Sequence, residues 1–106
     1  MSIFKKRLTV NEATNAAHTS PNAMLIDCRS KDEYHHGHVS GAVNIPLDKI
    51  TEDRVSKRIP AKDKYLYVIG SYNFRTEKAV KALKKAGYKN AIFGGYMDEH
   101  YGILKK

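Results

Sequence analysis

The sequence predicts a parallel α/β sheet with helices on both faces. Short apolar runs alternate with helical patterns along most of the chain. The clearest runs are nearly continuous, as in strands covered on both sides, where a half-exposed strand would alternate. Capping boxes, which mark helix starts, lie ahead of two of the helical segments.

The elements follow in order. Leu8-Thr9-Val10-Asn11-Glu12 opens a helix: the Thr9 hydroxyl can accept from the N–H of residue 12, and the Glu12 carboxylate can accept from that of residue 9. Val10, Ala13 and Ala17 give this helix an apolar stripe, and Pro21 follows its end. Ala23-Met24-Leu25-Ile26-Asp27-Cys28 is the first strand. Ser30-Lys31-Asp32-Glu33 is the second capping box, starting a helix of little more than a turn before Gly37. Ala42-Val43-Asn44-Ile45 is a short strand closed by Pro46, and a short helix is expected around Thr51 to Ser56.

Tyr65 to Ile69 is the third strand and the most apolar segment. From Arg75 or Thr76 to Ala86 a helix places Ala79, Val80, Leu83 and Ala86 on one face. Thr76 reads as its N-cap, Lys84 and Lys85 complement the dipole of its last turn, and Gly87 caps it. Asn90 to Phe93 is the fourth strand, after which Gly94-Gly95 is expected to turn into a terminal helix. Crossovers between parallel strands are right-handed, and the working site of such a sheet lies outside the carboxyl ends of its strands. Asp27-Cys28-Arg29, Pro46, the 70–75 loop and Gly94-Gly95 all follow strands and should share one rim.

Composition narrows the classes. With 106 residues, 42% of them apolar and 28% charged, residues 1–106 are expected to form a single globular domain. No apolar run approaches the length of a membrane span, and MSIFKKRLTV has lysines without the apolar stretch of a secretory signal. Cys28 is the lone cysteine, so no intrachain disulfide can form. These features place the chain in the cytoplasm. Nineteen basic against eleven acidic side chains give a net charge of +8, which favours anionic partners. The basic pairs Lys5-Lys6, Lys57-Arg58, Lys84-Lys85 and Lys105-Lys106 are scattered and not interleaved with aromatics, so nucleic acid is not the expected partner.

LIDCRSKDEYHHGHVSGAVNIPLDKI, residues 25 to 50, resembles the first signature of rhodanese-homology domains: an apolar strand ending in Asp-x-Arg, then Glu-Tyr, Gly-His-x-x-Gly-Ala and Asn-Ile-Pro. YLYVIGSYNFRTEKAVKALKKAGYKNAIFGGY is similar to the second, which has a strand, a six-residue loop from cysteine to arginine, Ser or Thr, an alanine-rich helix, a Gly-Tyr turn and Gly-Gly. The resemblance runs from about Thr9 to the C-terminus. It implies a sheet of about four to five parallel strands and membership of the sulfurtransferase family. In that family the loop cysteine accepts a sulfane sulfur as a persulfide, and loop amides and arginine stabilise the anion.

Aligning on Arg75-Thr76 puts Gly70 where the resemblance calls for that cysteine, so the nucleophile position carries no side chain. Asn73 stands where the family usually has glycine, and asparagine tolerates a left-handed backbone. Tyr72 and Phe74 bring bulky rings that would fill the pocket if they point inward. The expected role is therefore a catalytically inactive binding or regulatory module. Gly70, Ser71, Tyr72, Asn73, Phe74, Arg75 and Thr76 would form an anion-binding loop at a helix N-terminus. The alternative for Arg75 is a structural tie to the strand ends through Asp27.

If Gly70 only replaces the nucleophile and the cradle survives, Gly70→Cys should gain measurable persulfide formation. Ser71 and Thr76 offer hydroxyls, which form no persulfide. The enzymatic alternative is a sulfurtransferase using Cys28 or a partner's thiol, although Cys28 shares its parity with Ile26 and is expected in the core. The dual-specificity cell-cycle phosphatases of this fold have one more residue between cysteine and arginine, and the loop here has the shorter length. Another alternative is a basic binder of nucleic acid or acidic protein.

Asp27, Arg29, Glu33 and His38 are expected as a structural rim. His35, His36 and His38 lack a further ligand at zinc spacing, so no metal is expected, and no cofactor is implied. Tyr96, His100 and Tyr101 read as packing residues. The expected partner is an unidentified protein or a small anion, with no membrane.

Overall fold

The computed structural model describes residues 8–72, 74–100 and 102–106. Its elements alternate as α1 (Val10–Thr19), β1 (Ala23–Asp27), α2 (Lys31–His36), β2 (Val43–Asn44), α3 (Glu52–Arg58), β3 (Tyr65–Gly70), α4 (Arg75–Lys85) and β4 (Ala91–Tyr96). Short 3₁₀ turns follow at Leu47–Lys49 and Met97–Glu99. The expectations for Lys5-Lys6, Asn73 and Tyr101 fall outside the described residues.

Local chemistry explains the helix starts. Thr9 and Ser30 each close a capping box, with Thr9 N–H donating to Glu12 Oε1 at 2.9 Å and Ser30 N–H to Glu33 Oε1 at 2.9 Å. Thr51 caps α3 by accepting from the Arg54 amide. Past the end of α4, Gly87 adopts φ +105°, a conformation that costs glycine little.

All pairings in the sheet are parallel, and the strand order is β2-β1-β3-β4. Period-two side-chain alternation then makes two cores. Ile26, Cys28, Leu66 and Val68 face one side, where Val55, Ile59, Ala79 and Leu83 bury them. Leu25 and Ile69 face the other and pack against Val10, Ala13 and Ala17 of α1. Each fully buried aliphatic side chain contributes about 1.5–3 kcal/mol. Tyr88 is buried in the first core because its hydroxyl finds a partner, donating to Ile59 O at 2.5 Å.

The end of the chain departs from expectation. The Gly94-Gly95 pair does not leave the sheet for a helix: β4 continues through it to Tyr96, and the 3₁₀ turn follows, with no α-helix after it among the described residues. The cause is close approach. A Cβ on Gly94 would lie 2.8 Å from Val68 O, and one on Gly95 2.7 Å from Val10 N, so both glycines are needed where β4 meets β3 and the start of α1. A register irregularity between Val68 and Gly70 accommodates the pair. Farther on, His38 and Lys105 form an antiparallel bridge, each amide donating to the other's carbonyl at 2.8 Å.

Candidate functional site

The carboxyl ends of β1, β2 and β3 are stitched together at one rim. Cys28 N–H donates to Ile69 O at 3.0 Å, Ile45 N–H to Asp27 O at 2.9 Å, and Leu47 N–H to Cys28 O at 3.1 Å. Asn44 adds a clamp, its Nδ2 donating to Asp27 O at 3.0 Å and Arg29 O at 2.9 Å. Sequence reasoning gave Asn44 no role, although its place in Asn-Ile-Pro was a signal.

Asp27 is fully buried and turns toward the α1 side. Arg29 meets it with a two-pronged contact, Nε to Oδ1 at 3.0 Å and the terminal nitrogen to Oδ2 at 2.8 Å, and that nitrogen also donates to Gly37 O at 2.8 Å. The fork matches the carboxylate and keeps a buried charge paired. His38 stacks on Tyr34 with ring centroids 3.8 Å apart, and its Nδ1 lies 2.9 Å from Tyr34 O. Arg29 thus joins Asp27 at the end of β1 to the Gly37 turn, while His38 packs on Tyr34 of α2.

The loop between β3 and α4 sits above. Its helix starts at Arg75, the earlier of the two expected positions, but Phe74, not Thr76, occupies the N-cap, in the left-handed region at φ 67°. Thr76 lies within the first turn, is buried, and donates from its hydroxyl to Ser71 O at 3.1 Å. The Phe74 amide donates to Tyr72 O at 2.8 Å and is thus already engaged within the loop. The Tyr72 and Phe74 side chains point outward, each 68% exposed, so neither ring plugs the pocket.

Arg75 does tie the loop down, but to α2 and not through Asp27. One terminal nitrogen lies 3.0 Å from Glu33 Oε1, and the other donates to Ser71 Oγ at 2.9 Å. Asp27 is already taken by Arg29, and Glu33 is the carboxylate left facing the loop. Burial pushes the Glu33 carboxyl up, but the Ser30 amide and the Arg75 guanidinium outweigh it and hold it below its usual range. Beside Arg75 lies a cavity of about 370 Å³ bordered by Ser30, Pro46, Leu47 and Asp48.

Under the loop the structure brings together two residues that the sequence treated separately. A Cβ placed on Gly70 would lie 2.5 Å from Cys28 Sγ and 2.8 Å from Thr76 Oγ1. The lone thiol therefore fills the floor of the cradle. It has no solvent exposure, and it donates to Arg75 O at 3.8 Å. Burial, followed by the charge of Asp27, pushes its pKa up to about 12 from an ordinary 9.0, against smaller opposing effects from Arg75 and Thr76. Among the described residues no three His, Cys, Asp or Glu side chains gather in a way that could hold a metal.

Comparison with known proteins fits this geometry. The family model described as "Rhodanese-like domain" matches residues 9–97. The uncharacterised protein YibN of Escherichia coli K12 is 29% identical over 83 residues, covering 78% of this chain and 57% of YibN. Human M-phase inducer phosphatase 1 is 29% identical over 83 residues, 76% of this chain and 16% of the phosphatase. The chain therefore spans only part of these relatives. Among solved structures, a rhodanese with anions from E. coli superposes with a TM-score of 0.69 at 26% identity, covering 79% of this chain and 98% of that one.

Proposed function

This chain belongs to the rhodanese-like family, and we propose that it is a catalytically silent member, a binding or regulatory module that holds an anion at residues 70–76. One observation carries the loss of chemistry: where residue 70 would bear a thiol there is glycine, and the space beside it is filled by a buried, protonated one. Sulfur transfer from thiosulfate requires a thiolate to attack the outer sulfur, break the S–S bond and release sulfite. With a pKa of about 12, Cys28 is thiolate in about one part in 10⁵ at neutral pH. The anion reading draws support from the first-turn amides of α4, from Arg75, and from the similar E. coli rhodanese solved with anions. The loop's length, shorter than in the related phosphatases, argues against phosphate-ester chemistry. The lone thiol suits a reducing compartment, the cytoplasm.

A second reading, a sulfurtransferase using Cys28, is favoured by one fact: the sulfur lies directly under the loop and not elsewhere in the core. Incubation with thiosulfate followed by peptide mass measurement separates the two. The silent reading expects an unmodified Cys28 peptide and no turnover with cyanide. One added sulfur on Cys28, with turnover lost in Cys28→Ala, would establish the enzyme.

A further inference from the structure

Away from the loop, the open edge of the sheet carries a groove of about 800 Å³ that the reading above does not use. Its floor is apolar, made by Ala42, Val43, Ile45 and Pro46 along and beside the edge strand β2. Its walls are cationic. Lys31 stands on the α2 side; Arg54, Lys57 and Arg58 stand on the α3 side; Lys49 projects between them from the 3₁₀ turn. No carboxylate lines it.

The cations are available. Lys31, Lys49, Arg54, Lys57 and Arg58 are all exposed. Lys57 does meet Asp53 at 3.6 Å, but both side chains are largely in water, and such pairs hold little energy. Arg58 donates one guanidinium nitrogen to Asn44 O at 2.7 Å, which fixes it over β2.

We propose that this groove binds a short acidic segment of a partner protein that also carries apolar side chains. Charge complementarity selects the acidic partner: a wall of like charge attracts carboxylates and repels basic chains. The floor selects against a bare small anion, which would leave the half-exposed Val43 and Pro46 uncovered. It is also a poor platform for a nucleic acid strand. Of the two aromatic rings in the lining, Tyr34 has one face stacked on His38 at 3.8 Å and its hydroxyl donates to Ala42 O at 2.6 Å, which leaves His35, edge-on to Tyr34, as a single exposed ring where a strand of bases stacks on several.

The test uses the full chain and fluorescence anisotropy of a short labelled peptide alternating glutamate with leucine. The expected result is saturable binding that weakens with added salt. It falls roughly tenfold or more in Arg54→Glu/Lys57→Glu and measurably in Lys31→Glu on the opposite wall. These side chains are exposed, and unchanged circular dichroism and melting temperature would show that the variants are folded. The same peptide with glutamine for glutamate should bind at least tenfold more weakly. Any of four results would overturn the proposal: no binding of the acidic peptide at saturating protein, equal binding of the glutamine peptide, indifference to charge reversal, or tighter binding of a labelled single-stranded oligonucleotide.

Discussion

Cys28 and Gly70 occupy one site between them: the Sγ of the first lies 2.5 Å from where the Cβ of the second would begin. Cys28 follows β1 and Gly70 ends the adjacent strand β3, and Cys28 is drawn against the Gly70 segment by its amide, which donates to Ile69 O. The glycine is not a simple deletion of a nucleophile. It is also the small residue that a cysteine at position 28 requires.

Restoring the loop thiol therefore takes two changes. The backbone of Gly70 is not left-handed, so the obstacle to a side chain there is space alone. Gly70→Cys by itself should lower stability by about 1–3 kcal/mol through overpacking, with no gain in persulfide formation. Adding Cys28→Ala removes the closer collision and should recover part of that loss, the contact with Thr76 Oγ1 at 2.8 Å remaining. Urea unfolding in reducing buffer reads the first effect, and mass measurement after thiosulfate reads the second. A folded double variant that still takes up no sulfur would place the fault in the turn at Tyr72 and Phe74. A single variant that is stable and reactive would show that Cys28 moves aside easily.

The buried thiol should also leave a mark on alkaline stability. Unfolded, Cys28 loses its proton near its ordinary 9.0, whereas folded it keeps it up to about 12. Across that window the unfolded state binds fewer protons, so stability falls as pH rises. Below it the contribution is fully present. Cys28→Ala should flatten the part of the alkaline decline that this group causes, seen as a smaller loss of urea midpoint than in the parent. In the folded parent, alkylation by iodoacetamide at neutral pH should be at least about a hundredfold slower than for an unfolded control. Rapid alkylation of the folded protein would contradict the burial on which the silent reading depends.

Much of the fold was legible because its signals are local. Thr9 with Glu12 and Ser30 with Glu33 sit three residues apart and cap as their spacing implies, and Gly87 ends α4 where it should. The failures share a different cause. Thr76 looked like a cap, but a left-handed Phe74 starts the helix, and a bulky residue in that conformation leaves no signature in sequence. Gly94-Gly95 read as an exit because its need for space comes from α1, far away in the chain. The parity of Cys28 with Ile26 foretold burial. That the sulfur would lie beneath Gly70, and that Arg75 would choose Glu33, depend on which strands and helices become neighbours.

Arg29 offers a test of the rim's construction. Asp27 is fully buried, and its carboxylate is held by the Arg29 fork. Arg29→Ala would strand that charge and should cost about 3–5 kcal/mol. Arg29→Lys keeps the charge but not the fork and should fall between. Chemical denaturation compares the three proteins. A loss below about 1 kcal/mol for Arg29→Ala would mean that water reaches Asp27 and the rim is looser than its hydrogen bonds imply.

The anion reading turns on Glu33, because this carboxylate holds the guanidinium that an anion would need. Glu33→Gln removes the competing charge and can keep the capping box, since glutamine also accepts from the Ser30 amide. Sulfate should then bind roughly fivefold tighter than to the parent, seen as a larger rise in melting temperature with added salt of that anion. The parent has its own route to the same state. Its Glu33 is held below the usual carboxylate range, so the stability from the Arg75 tie is present above pH 4.5 and is lost as acid titrates the group. Over that acid range the parent's sulfate affinity should climb toward that of Glu33→Gln, whose own affinity stays level. Chloride at matched ionic strength controls for screening. If sulfate stabilises neither protein more than chloride does, Arg75 serves only to fasten the loop to α2, and residues 70–76 are not an anion site.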